Sequence, residues 1–299
     1  MFEEFKSAFQ RYNNGHVQLI IINLAVFVVM GVVMVVTRVS GFDSVWFTLH
    51  DQFQIPARFA EFITRPWTIF TYMFMHDLQG ILHILFNMLI LYWFGRLFVE
   101  YLGSDKLIAL YLLGGIAGGI AYLLAYNTIP FYVDQSTAVR IGMVGASAAV
   151  NAIVVATATL VPNYTFFLLF IGPVRIKYIA GVIVFLSFLG AVGTNAGGNI
   201  AHLGGALIGY VYMKQLHAGI NWGGWITVTL DWFRDLFKEK PRVKVSYRKE
   251  RMASTPGSSD KNSYTQEEID RILDKISEGG YESLTKDEKE KLFNASKKS

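Results

Sequence analysis

The sequence predicts an all-α membrane protein, a six-transmembrane-helix core followed by a small helical C-terminal tail. Three observations predict it. Of 299 residues, 53% are hydrophobic and only 17% charged, too apolar and charge-poor for an ordinary soluble domain. The apolar residues come in long runs rather than in 3.6-period stripes, and about 20 of them span a bilayer as a helix. The few polar side chains inside those runs are Ser, His and Asn, which are costly in lipid and call for a reason.

Residues 1–16 are mixed polar and are read as a cytoplasmic N-terminal segment. Val17 to Val36 is an uncharged run of 20 residues. It is too long for a signal-peptide core and lacks a small-x-small cleavage site, so it is the first membrane helix. Residues 37–66 mix aromatics (Phe42, Trp46, Phe47, Phe53, Phe59, Phe62) with charges and Pro56, which suits a compact structure in the interface. Further apolar runs extend over Ile81–Val99, Leu107–Tyr126, Met143–Val161, Tyr178–Val192 and Asn199–Leu216. Residues 163–177 carry Gly172-Pro173 and two bases and read as a connector despite "FFLLF". The membrane core is therefore 17–217.

In residues 218–237, Trp225, Val228, Trp232 and Leu236 fall near one helical face, with Asp231, Arg234 and Asp235 elsewhere, as in an interfacial helix. Residues 238–264 are basic, then Ser/Gly/Pro-rich, and read as a flexible linker. Residues 265–299 read as a helical cytoplasmic tail. Thr265 to Glu268 has a capping-box pattern and precedes Ile269, Ile272, Leu273 and Ile276 at helix spacing. Gly279-Gly280 would end that helix, and "SLTKDEKEKLF" starts another.

The net charge of +4 fits basic flanks of membrane helices, and no basic, aromatic-interleaved patch suggests nucleic-acid binding. The absence of cysteine excludes disulfides, cysteine catalysis and Cys-based metal sites. With six spans, Lys6, Arg11, Arg96, Lys106, Arg175, Lys177 and the basic run 238–251 share one side. The other side holds Arg38, Arg58, Arg65 and Arg140. That balance puts both termini in the cytoplasm.

Four polar residues then gather at one depth. His83 and Asn87 lie four apart, on one face of the second helix. Ser147 opens the fourth helix and His202 the sixth. Helices two, four and six start on the same, extracytoplasmic side, so at about 1.5 Å rise per residue His83, Ser147 and His202 fall within roughly one turn in depth, with Asn87 a turn deeper. Singly, Ser147 reads as helix packing or capping and Asn87 as an interhelical hydrogen bond. Together they supply what acyl transfer needs. A serine needs a base, usually histidine, and a developing oxyanion needs donors, for which His83, Asn87 and the Ser147 backbone N–H are suitable types. Gly145 and other small residues around Ser147 and His202 permit the close helix approach that such a dyad requires.

These residues resemble the rhomboid family of intramembrane serine proteases. "HILFNMLILYWFGRLFVEYLGS" resembles its second-helix signature, "GASA" its nucleophile motif, and "AHLGGALIG" the motif carrying its histidine. "RPWTIFTYMFMH" resembles the segment leading into helix two, and the resemblance covers roughly residues 17–217. It implies a six-helix core whose active site lies in a water-filled cavity open to the extracytoplasmic side. Ser147 would be the nucleophile, His202 the general base and then acid, and His83 with Asn87 part of the oxyanion hole. Substrates would be single-span proteins in the lipid bilayer, and no cofactor or metal is required. A zinc site on His76, His83 and His202 is disfavoured by the lack of an H-E-x-x-H pattern and of a ligand carboxylate.

Two positions depart from the family pattern. Ala148 stands where glycine is frequent, and its methyl could crowd the oxyanion hole. Asn151 stands where an aromatic commonly packs on the histidine, and the sequence suggests that it hydrogen-bonds His202 instead. The tail resembles a C-terminal segment of some bacterial rhomboids, with no legible partner, so the expected location is a bacterial inner membrane. The alternative function is a non-catalytic relative that binds membrane-protein clients, although such relatives usually lose the Ser or His.

Overall fold

The computed structural model describes residues 13–78, 80–138, 142–237 and 266–296. Most of the N-terminal segment, Arg140, the linker 238–264 and Thr265 lie outside the described residues. The chain divides into two compact units, Met1–Glu239 and Lys240–Ser299.

The first unit is built on six principal helices: α1 (Gly15–Val39), α2 (Ile81–Leu102), α3 (Ser104–Thr128), α4 (Ser147–Leu160), α5 (Ile176–Gly190) and α6 (Ala196–His217). α1, α2 and α3 each have the length and hydropathy to cross a membrane. α4 and α5 are apolar but only 14 and 15 residues long. At about 1.5 Å per residue, α4 spans roughly 21 Å, short of a hydrocarbon core of about 30 Å.

α1 shows why these segments are helical despite many β-branched residues. In lipid only a helix satisfies every backbone group within one segment. From Ile22 to Val36 its exposed residues are all apolar, with Val28, Val29, Val32 and Val35 more than half exposed, whereas buried Asn23 faces inward. The Asn23 amide donates to the Leu19 carbonyl (2.8 Å) and the Tyr111 hydroxyl (3.0 Å), and Tyr111 donates to the Met73 carbonyl (2.8 Å). This inside-out polarity marks a lipid-facing surface. The chain is an all-α membrane protein.

α4, α3 and α6 pack nearly backbone to backbone. A Cβ on Gly205 or Gly209 of α6 would collide with the carbonyl oxygens of Ala148 and Ala152 on α4. A Cβ on Gly204 would meet Ala121 at 2.7 Å and the Ala117 carbonyl at 2.8 Å on α3. The stretch between α1 and α2 is ordered by short helices over Asp43–Phe53, Phe59–Thr64 and Thr68–Thr71. It is tied by buried Arg65, which pairs with Glu61 (3.2 Å) and donates to the Asp51 carbonyl. Ile55–Pro56 pairs antiparallel with Gly142–Met143. Residues 163–177, expected to be a connector, form a hairpin of Thr165–Leu168 and Gly172–Arg175, with Leu169, Phe170 and Ile171 exposed at its tip. α7 (Gly224–Phe237) follows α6 and exposes Trp225, Val228 and Trp232.

The second unit contains α8 (Gln266–Gly279) and α9 (Lys286–Ser296). Gly280 follows α8 with φ +74°, the left-handed position that glycine takes without strain. Buried Ile272 and Leu284 form its small apolar centre. α9 opens with a reciprocal capping box: the Thr285 N–H donates to Glu288 (2.8 Å) and the Glu288 N–H to the Thr285 hydroxyl (3.3 Å).

Candidate active site

Ser147 is the first residue of α4. The apolar run predicts a helix from Met143, but Gly142–Met143 is held as a strand against Ile55–Pro56, and the Gly145 N–H donates to the Tyr72 carbonyl (3.0 Å). The chain turns into the helix through Gly145, whose φ of +136° disfavours any side chain. A Cβ there would sit 3.3 Å from His83 Cε1 and 3.6 Å from Ser147 Oγ. Helix nucleation is thus delayed to Ser147, leaving its hydroxyl at the positive end of α4 beside unpaired first-turn N–H groups.

His202 approaches from α6. Because Gly205, three residues on, allows α6 against the Ala148 carbonyl, the His202 ring reaches the serine, and Nε2 lies 2.7 Å from Ser147 Oγ. The two residues are 55 apart in sequence. On the other side of the ring, Nδ1 lies 3.3 Å from the hydroxyl of Ser187 on α5. Ser187 is not among the residues that the sequence pattern singles out. Its signal was that it is the one Ser or Thr in the apolar run Tyr178–Val192.

The pair opens onto a cavity of about 430 Å³ walled by α2, α4, α5 and α6. His83 and Asn87 line it from α2 and Asn151 from α4. Asn87 is buried, and its Nδ2 has no hydrogen-bond partner among the described residues. Ala148 is buried too, but its methyl faces Gly118 of α3 and is absent from the cavity wall. Asn151 donates to the Ser147 carbonyl (2.9 Å), not to His202 as the sequence suggests. A side chain four residues into the helix finds that carbonyl one turn below it, a local bond that needs no tertiary fit. Among the described residues no group of three or more His, Cys, Asp or Glu is placed to hold a metal. A larger open depression on the first loop, about 780 Å³, holds Arg65, which Glu61 and the Asp51 carbonyl already engage.

An all-α membrane protein with a serine and a histidine hydrogen-bonded across a four-helix cavity is the class that fold and site define. The rhomboid domain model matches residues 64–218, just over half of the chain, and the chain belongs to the rhomboid family. Residues 259–298 match a family of unknown function (DUF6576). The chain is 33% identical over 164 residues to RHOMBOID-like protein 12, mitochondrial, of Arabidopsis thaliana, a match covering 52% of this chain and 48% of that protein. It is 32% identical over 144 residues to Presenilin-associated rhomboid-like protein A, mitochondrial, of Danio rerio, covering 46% of this chain and 35% of that protein. The chain thus spans half or less of the length of these relatives.

Proposed function

We propose that the chain is an intramembrane serine endopeptidase that cleaves single-span membrane proteins through Ser147 and His202. The observation that carries the reading is the 2.7 Å contact between Ser147 Oγ and His202 Nε2, made across two helices inside an apolar body. A serine buried for packing alone satisfies its hydroxyl locally, on the carbonyl one turn back, as Thr157 does.

His202 Nε2 takes the hydroxyl proton as Ser147 Oγ bonds to the substrate carbonyl carbon. The charge passing to the carbonyl oxygen meets donors: the buried Asn87 amide, the His83 ring and the first N–H groups of α4. The C–N bond then breaks, and the amine leaves with the proton from His202. Water, deprotonated by the same nitrogen, releases the acyl group from Ser147. Gly145, Ala148 and Asn151 shape the site: Gly145 lets the chain pass His83, Ala148 keeps its methyl on α3, and Asn151 ties the first turn of α4. No cofactor enters the scheme. A substrate reaching the cavity between α2 and α5 must present an unwound strand, since a helix carries its scissile bonds within its own hydrogen-bond ladder.

We assign the six-span core to 17–217, α7 to the interface, and 238–264 and 265–299 to linker and tail. We place both flanking segments on the cytoplasmic side of a bacterial inner membrane; the basic loops support the sidedness, whereas the two relatives reported above are mitochondrial. Purified wild type, Ser147→Ala and His202→Ala, each incubated with a model single-span substrate, test the function. Cleavage by wild type alone is expected, and cleavage that persists in Ser147→Ala would sink the assignment.

A further inference from the structure

We propose that Ser187 is a positioning residue that fixes the proton of the catalytic imidazole on Nδ1, making α5 a part of the catalytic apparatus. The proposal rests on the reading of Ser147 and His202 given above.

A hydroxyl has one proton to donate and two lone pairs. The Ser187 hydroxyl lies 3.0 Å from the Ile183 carbonyl, which can only accept. Its proton is therefore committed there, and toward His202 Nδ1, at 3.3 Å, its oxygen offers a lone pair. Nδ1 must then carry the imidazole proton, leaving Nε2 as the bare nitrogen facing Ser147 at 2.7 Å. That is the tautomer in which Nε2 can take a proton from serine; the other would face Ser147 with an N–H. Among the described residues, no carboxylate bonds His202.

The placement of Ser187 is selective. α5 exposes Val182, Phe185, Leu186, Phe188 and Leu189, each by more than half. Only Ile176, Ala180 and Ser187 of this helix are buried. α5 thus touches the body along a narrow stripe whose one hydroxyl meets the histidine. Since α5 also walls the cavity through Ile183, Leu186 and Ser187, the element that bounds access is the one that sets the tautomer.

The test compares wild type, Ser187→Ala and Ser187→Thr by steady-state cleavage of a model single-span substrate and by ring 15N NMR of histidine-labelled protein, with His202 assigned from the His202→Ala spectrum. Ser187→Ala is expected to lower kcat about tenfold with KM unchanged, the worth of one hydrogen bond. It is also expected to move the His202 ring from the Nδ1–H form toward a mixture. Ser187→Thr, which keeps the hydroxyl, is expected to restore both. An unchanged His202 tautomer in Ser187→Ala overturns the proposal, as does a kcat loss that Ser187→Thr does not recover. The spectrum needs no turnover, so a His202 tautomer that shifts between wild type and Ser187→Ala while wild type cleaves nothing would refute the protease reading and leave the control of the His202 tautomer by Ser187 standing.

Discussion

A serine hydroxyl is a weak nucleophile until a base removes its proton, and the structure gives Ser147 such a partner at 2.7 Å from α6. The neighbouring donors set the next demand. The Asn87 amide is buried in the cavity that Ser147 lines, with its Nδ2 unpartnered among the described residues, a cost that an oxyanion would repay under the proposed function. Asn87→Ala is accordingly expected to lower kcat by about 10²–10³ with little change in KM, as read by steady-state cleavage. A loss confined to KM would assign Asn87 to ordinary substrate binding. Ser147, His83 and His202 were legible in the sequence because the six-span topology brings them within a turn in depth, and Asn87 because it lies one turn below His83 on the same face; all four line one cavity. Ser187 was not, because a lone serine in an apolar run has the same sequence appearance whether it packs or bonds. Asn151 misled for the related reason that its own helix offered its amide a nearer acceptor, the Ser147 carbonyl.

At the scale of elements, the site depends on how close α6 lies to α4. Gly205 faces the Ala148 carbonyl with no room for a Cβ, so Gly205→Ala forces the helices apart one turn from His202. The expected cost is about 1–3 kcal/mol of stability, read from the unfolding midpoint in detergent, together with loss of cleavage. The start of α4 was the element boundary least legible in sequence. Met143 and Val144 continue the apolar run, and nonlocal contacts hold them out of the helix: the pairing of Gly142–Met143 with Ile55–Pro56 and the bond of the Gly145 N–H to the Tyr72 carbonyl. The hairpin over 165–175 was hidden likewise, since "FFLLF" is apolar in either conformation and strand pairing is invisible to a local pattern. The tail shows the opposite case, a local signal with a pH consequence. The Thr285 N–H, then Lys275 and the Thr285 hydroxyl, hold the Glu288 carboxyl down at about 2 from an ordinary 4.5. A group lowered on folding adds stability that is complete above the unfolded value and is lost as pH falls through the folded one. Amide protection factors over residues 286–296 in the full chain are expected to fall between about pH 4.5 and 2. Glu288→Ala, which removes the acceptor, should show low protection throughout; an unchanged profile would remove Glu288 from the cap.

At the scale of the whole molecule, the fold class was readable because lipid leaves few options: runs this apolar must be helices, and their outward faces remain more apolar than their inward ones. The proposed sidedness rests on basic loops and is directly testable, since the sequence contains no cysteine. Single cysteines at Ser7 and Ser258 are expected to react with an impermeant maleimide only after the cytoplasmic side is opened, and one at Ser40 from the opposite side. Labelling of Ser7→Cys and Ser258→Cys from different sides would rule out an even number of spans between them. Activation of Ser147 by His202 remains the claim on which the rest depends, and covalent labelling of the full chain reads it without knowledge of the natural substrate. Wild type treated with a fluorophosphonate and mapped by peptide mass spectrometry is expected to carry one phosphonyl group, on Ser147, with the adduct absent from His202→Ala. An adduct on another residue, or equal labelling of Ser147 in His202→Ala, would contradict it.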